Sequence, residues 1–181
     1  MAAHQHSIKK FINLVPACVY PHDLVGRAKV NQLLESPMEG SSLPYSLAKL
    51  NGLISIEAAN KQHHSSWQNL IITNTYGDDI STNSHKSHVI PALIRKFHEA
   101  KFQNRNFVEL LGSGGAVREF LHIQDVSSAV YFVIEKNITD PVTMNVSGQD
   151  QITIQELAGV VKKIVDFKGE IRFMNDGRDG T

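Results

Sequence analysis

Short apolar runs alternate along the chain with segments whose apolar residues recur at three- and four-residue steps. Phe11-Ile12-Asn13-Leu14-Val15, closed by Pro16, has the form of a strand buried in a parallel sheet. Residues 20–44 are polar and broken by Pro21, Gly26, Pro37, Gly40 and Pro44, which predicts a long loop. From Tyr45 to about His64, the recurrence of Leu47, Leu50, Ile54 and Ala58 predicts an amphipathic helix. Leu70-Ile71-Ile72 then reads as a second buried strand, ended by the turn signal Gly77-Asp78-Asp79.

The second half continues the alternation. Ser87 is expected to cap a helix with Val89, Ile90, Leu93, Ile94 and Phe97 inward. Val108 to Leu111 is a short strand running into Gly112-Ser113-Gly114-Gly115, and Glu119 to His122 is extended. Asp125 is expected to cap a helix carrying Val126, Ala129, Val130 and Val133, before a strand at Met144-Asn145-Val146. Thr153-Ile154-Gln155-Glu156 is a capping box opening a last helix, and Ile171-Arg172-Phe173 is a last strand.

Strands alternating with helices define an α/β chain. The expected organisation is a partial doubly wound, Rossmann-like parallel sheet over residues 1–84 and a small α/β lobe over residues 85–181. A length of 181 residues suits one domain, and 41% hydrophobic with 20% charged residues is a core-forming composition.

Lys plus Arg and Asp plus Glu each number 18, and no basic run is longer than two. That balance argues against a generic nucleic-acid or anionic-membrane partner. The lone Cys18 has no partner for an intramolecular disulfide, and the start MAAHQHSIKK lacks an apolar signal core, so a cytoplasmic protein is expected. The nine histidines show no ligand-pair spacing with supporting carboxylates or cysteines, and no metal site is expected.

Tyr45 and Lys49 are four residues apart at the start of a helix, so their functional ends share a face. An ammonium beside a phenol favours phenolate, which lets a tyrosine exchange a proton with a carbonyl or alcohol oxygen near neutral pH. The spacing alone equally describes a solvated helix pair.

Context adds to it. Pro44-Tyr45-Ser46-Leu47-Ala48-Lys49 resembles the catalytic YxxxK helix of the extended short-chain dehydrogenase/reductases, in the NAD-dependent epimerase/dehydratase family. Ala17-Cys18-Val19-Tyr20-Pro21, Thr73-Asn74-Thr75-Tyr76-Gly77, the segment from Ser87-His88 to Ala100, and Gly112 through Arg118 to His122 are similar, in order and spacing, to the GDP-L-fucose synthases within that family. The resemblance covers the C-terminal half of such an enzyme.

The resemblance implies conversion of GDP-4-keto-6-deoxymannose to GDP-L-fucose, by epimerisation beside the ketone and hydride transfer from NADPH. Tyr45 would protonate the reduced carbonyl oxygen, and Lys49 would hold the nicotinamide ribose. Cys18 and His88 match the acid/base pair of the epimerisation; without the resemblance, Cys18 reads equally as a small core residue and His88 as a helix-start side chain. Asn74 and Thr75, with Lys49 and His88, match positions against the NADP cofactor. Lys96 and Arg118 match basic positions facing the diphosphate of a GDP-linked deoxyhexose, although surface charge is the usual fate of a lysine; Asp179 matches an acidic position near the guanosine. A homodimer through the Tyr/Lys helix is also implied.

Departures accompany the matches. No glycine-rich dinucleotide turn precedes residue 11, Val15-Pro16-Ala17 lacks the serine of the family's Ser-Tyr-Lys set, Leu111 replaces the aromatic residue that stacks on guanine, and Gly180-Thr181 ends the chain before the family's closing helices. The sequence therefore carries two readings: an epimerase/reductase supplied as its C-terminal half, and a non-catalytic truncated paralogue or isoform that binds a sugar nucleotide or a full-length partner.

Overall fold

The structure, a computed structural model, describes residues 2–77 and 88–174. In chain order its elements are α1 (Ala2–Gln5), β1 (Ile12–Pro16), α2 (Leu43–His63), β2 (Gln68–Ile72), β3 (Asn74–Tyr76), α3 (Val89–Phe102), β4 (Phe107–Leu111), β5 (Val117–His122), α4 (Ile123–Glu135), β6 (Thr143–Val146), β7 (Gln151–Thr153), α5 (Ile154–Val165) and β8 (Glu170–Met174). They form two compact units, neither of them one continuous stretch: residues up to Thr75 join Phe120–Gly148, and Tyr76–Glu119 joins the residues from Gln149 onward.

The first unit is built on a parallel sheet of order β1-β2-β6, with Leu14 opposite Leu70 and Ile71 opposite Asn145. The central strand β2 is buried along Gln68 to Ile71, as a strand flanked on both edges must be. Among the described residues β1 pairs only with β2, and Leu14 (39% exposed) and Phe11 (38%) remain partly in solvent. Val15, Val19, Tyr20, Leu50, Leu53 and Ile71 make the core between sheet and α2.

Two boundaries differ from expectation. Helix α2 begins at Leu43, two residues before Tyr45, because Pro44 sits where a helical first turn tolerates a missing N–H. Helix α4 begins at Ile123 and is capped by His122, whose Nδ1 accepts from the Gln124 N–H at 3.3 Å, rather than by Asp125. Asp125 lies inside the first turn, where a carboxylate meets the positive end of the helix.

Residues 20–42 are also less open than their composition suggests. Ala28, Leu33 and Met38 pack against the core, and short 3-10 turns occupy Val30–Gln32 and Gly40–Ser42.

In the second unit β4 and β8 run parallel, Phe107 opposite Glu170 and Leu111 opposite Met174. Helices α3 and α5 pack on each other, with Phe97, fully buried, 5.7 Å from the Phe167 ring. The predicted capping box forms: Thr153 Oγ1 accepts from the Glu156 N–H at 3.1 Å, and Glu156 Oε2 accepts from the Thr153 N–H at 2.9 Å. β5 and β7 pair antiparallel, Val117 opposite Thr153. The cap expected at Ser87 and most of the turn at Gly77-Asp78-Asp79 lie outside the described residues.

Candidate active site

The carboxyl ends of parallel strands are where open α/β sheets bind ligands, because the loops leaving them converge there. In the first unit β1 ends in a 3-10 turn, Ala17–Val19, that holds Cys18 half-buried between the fully buried Val15 and Val19. Helix α2 packs on both β1 and this turn. Its first two turns carry Tyr45, 54% exposed, and Lys49, whose Nζ lies 5.6 Å from the centre of the Tyr45 ring. A cation at that distance is attracted to the aromatic face. Ser46 points the other way, fully buried, with its hydroxyl 3.2 Å from that of Ser42.

The end of β2 adds a polar group that the sequence did not flag. Thr73 Oγ1 is buried and has no hydrogen-bond partner among the described residues, immediately before Asn74 and Thr75, both exposed on β3. A buried hydroxyl without a partner is uncommon, and a hydrogen-bonding ligand at this strand end would satisfy it. The orphaned Thr73 hydroxyl and the exposed Tyr45 and Lys49 ends thus fit the polar nicotinamide–ribose end of a dinucleotide.

Tyr20 and Asn145 also escaped the sequence reading. The Tyr20 hydroxyl donates to Asn145 Oδ1 at 2.6 Å, and the Asn145 amide donates to the Ala28 carbonyl at 2.8 Å. Burial pushes the Tyr20 hydroxyl above the ordinary phenol value, partly opposed by the bond to Asn145. A buried tyrosine followed by proline after a strand was a signal that its hydroxyl needed a partner.

In the second unit His88 is the N-cap of α3, exposed and extended (φ −62°, ψ 165°), with no side-chain capping bond. Lys96 follows on the same helix, half-buried, its ammonium donating to the Glu109 carbonyl at 3.1 Å. Arg118, on β5, donates from Nη1 to the Val117 carbonyl at 2.7 Å. Leu111, at the end of β4, is 56% exposed. Gly112 and Gly114 adopt φ of 82° and 80°, and a side chain at Gly114 would strike the Phe173 ring. Their turn joins strand to strand rather than strand to helix, unlike a dinucleotide-binding glycine turn. Asp179 lies outside the described residues. Cys18, Tyr45, Lys49, Asn74 and Thr75 thus belong to the first unit, and His88, Lys96 and Arg118 to the second.

The family model described as the NAD dependent epimerase/dehydratase family matches residues 1–147. The chain is 36% identical over 188 residues to a GDP-L-fucose synthase of Escherichia coli (strain K12), covering 99% of this chain and 59% of that one. It is also 36% identical over 180 residues to a putative GDP-L-fucose synthase 2 of Arabidopsis thaliana, covering 99% and 55%. Among solved structures, a GDP-mannoheptose C4 reductase from Campylobacter jejuni with NADP bound superposes with a TM-score of 0.84 at 26% identity, over 95% of this chain and 61% of that one. The chain therefore spans little more than half the length of these curated relatives. Its parallel sheet flanked by helices is the Rossmann-type fold of these proteins, and the chain belongs to the NAD-dependent epimerase/dehydratase family.

Proposed function

We propose that the chain carries the reducing and acid/base residues of a GDP-sugar epimerase/reductase of the GDP-L-fucose synthase type. The observation that carries this reading is the Tyr45–Lys49 pair in the first two turns of α2, the helix that packs on the turn holding Cys18. Tyr45 protonates the carbonyl oxygen as it is reduced, a role of general acids that contributes roughly 10²–10⁴-fold. Lys49 holds a ribose hydroxyl while keeping positive charge beside the phenol. Cys18 and His88 exchange protons at the carbons beside the ketone, and Lys96 and Arg118 face the diphosphate, Arg118 with a planar fork of donors. NADPH, when bound, supplies the hydride; Asn74, Thr75 and the unsatisfied Thr73 hydroxyl line its nicotinamide end. Asp179 faces the guanosine, and two copies pair through α2.

A second reading, a non-catalytic sugar-nucleotide or partner-binding protein, is favoured by Pro16-Ala17. The residue before the cysteine turn offers no hydroxyl to an oxyanion, and Pro16 lacks even an N–H.

The test is cofactor titration of the 181-residue chain. The enzyme reading expects enhanced nicotinamide fluorescence and a rise in Tm with NADPH, lost in Lys49→Met. Tyr45→Phe should keep NADPH binding and lower reduction of a GDP-4-keto-deoxyhexose by about 10²-fold or more. No response at millimolar NADPH, with GDP still binding, would reject the enzyme and leave the second reading.

A further inference from the structure

The loop between β1 and α2 is fastened across the sheet by one side chain. Asn145 lies on β6, which sits on the opposite side of β2 from β1. Its carboxamide works at both ends: Oδ1 accepts the Tyr20 hydroxyl at 2.6 Å and Nδ2 donates to the Ala28 carbonyl at 2.8 Å. Two points on the same loop are thereby tied to the far strand.

The rest of the loop is closed on itself. His22 meets Pro37 twice, its N–H donating to the Pro37 carbonyl at 3.1 Å and its Nδ1 lying 2.9 Å from the same oxygen. Ser36 donates to Asp23 at 2.9 Å. Leu33 and Met38 press on the core beneath. Residues 20–42 are therefore a strap along the carboxyl end of the sheet, closed at its base and pinned at its far edge.

Both ends of the strap meet chemistry. It starts two residues after Cys18, where the Tyr20 N–H donates to Ala17 at 3.0 Å, and it ends at Ser42, three residues before Tyr45. Asparagine is a poor strand residue and Asn145 is exposed at an edge, so strand formation does not account for it.

We propose that Asn145 is a positioning residue, whose carboxamide acts through Tyr20 and Ala28 to hold the strap against the sheet and so sets the placement of Cys18 and of the first turn of α2. The catalytic consequence rests on the function proposed above; the clamp itself does not.

The experiment therefore reads the clamp without cofactor or substrate. In the 181-residue chain, tryptic cleavage after Arg27 and Lys29 and alkylation of Cys18 by iodoacetamide are followed in wild type, Asn145→Ala, Tyr20→Phe and the double variant, each at several urea concentrations below the unfolding transition. Loss of the clamp should accelerate both reactions about tenfold in Asn145→Ala and less in Tyr20→Phe, which keeps the Ala28 bond. The double variant should match Asn145→Ala, because the two bonds share one amide. Local opening of the strap should also be nearly independent of urea, whereas global destabilisation is steeply urea-dependent. Tyr20→Phe, a loss of one oxygen, keeps the comparison available if Asn145→Ala folds poorly. Unchanged rates, additive effects in the double variant, or rates that rise with urea along the global unfolding curve would each overturn the proposal. A chain that shows the clamp but binds no NADPH leaves this inference standing and removes the enzyme reading; the opposite result separates them the other way.

Discussion

Asn60, on α2 and 9% exposed, spends its whole amide on one residue: Nδ2 donates to the Trp67 carbonyl at 2.8 Å and Oδ1 accepts from the Trp67 N–H at 3.1 Å. This pair fixes the short connection through which α2 returns to the central strand. Alanine at position 60 strands one backbone donor and one backbone acceptor beside a core cluster of Ile56, Ala59 and Trp67. Stranding a buried polar group costs about 1–3 kcal/mol, and water reaching the 9%-exposed site recovers part of it, so Asn60→Ala should lose about 2–4 kcal/mol. With a urea slope near 2 kcal/mol/M, the midpoint should fall by about 1–2 M. Trp67 is the only tryptophan and is 3% exposed, so its fluorescence reports the transition directly. Lys61→Ala, one residue along on the exposed face, is the control and should leave the midpoint within about 0.5 kcal/mol of wild type. A midpoint shift in Asn60→Ala no larger than that control would refute the reasoning.

Other expectations follow from the same geometry. Thr153→Ala removes the side-chain cap of α5 and should cost about 1 kcal/mol by thermal or urea unfolding. Hydrogen bonds from the Thr153 backbone and then its hydroxyl hold Glu156 below the usual carboxylate range. Its folded-state pKa being depressed, the stability it contributes is present above the unfolded value near ~4.3 and is lost as pH falls through the folded value. Wild type and Glu156→Gln should therefore differ at pH 7 and converge below about pH 4 in urea midpoints. Gly169→Ala would drive a methyl group into the Asn106 carbonyl oxygen and the Phe167 ring, and should cost about 3 kcal/mol, since the oxygen belongs to backbone that cannot swing away. Leu14→Lys, on β1, an edge strand among the described residues, should reduce concentration-dependent light scattering of the chain, and unchanged scattering would show that this edge does not drive self-association.

What could be read from residues alone was whatever is local. Leu70-Ile71-Ile72 announces a central strand because burial on both faces leaves a continuous apolar run, and Thr153 with Glu156 announces a helix start because the reciprocal bonds span three residues. The Tyr45/Lys49 face follows from helical geometry in the same way. His122 displaced Asp125 as a cap because α4 starts at Ile123, directly where β5 ends, and an imidazole nitrogen can accept as a carboxylate does. The strap was hidden more deeply. Ala28, Leu33 and Met38 are spaced five apart, which matches neither the helical nor the strand period, and the bond from Tyr20 to Asn145 joins residues 125 apart, so no short window of sequence contains both ends.

The order of the sheets bears on how this chain is made. β2 has its first neighbour early, in β1, but its second, β6, arrives only at Thr143, after seventy intervening residues that include most of the other unit. β4 likewise waits for β8, at Glu170. Synthesis towards the C-terminus thus leaves Leu70 and Ile71 covered on one edge while α3, β4 and β5 are still being made, and the two parallel sheets close only once β6 and β8 have followed. Pairings of such long sequence separation fold slowly and expose apolar strand edges meanwhile. A ribosome stalled between Val117 and Pro141 would hold a chain with two unfinished sheets, the state in which chaperone capture should be greatest.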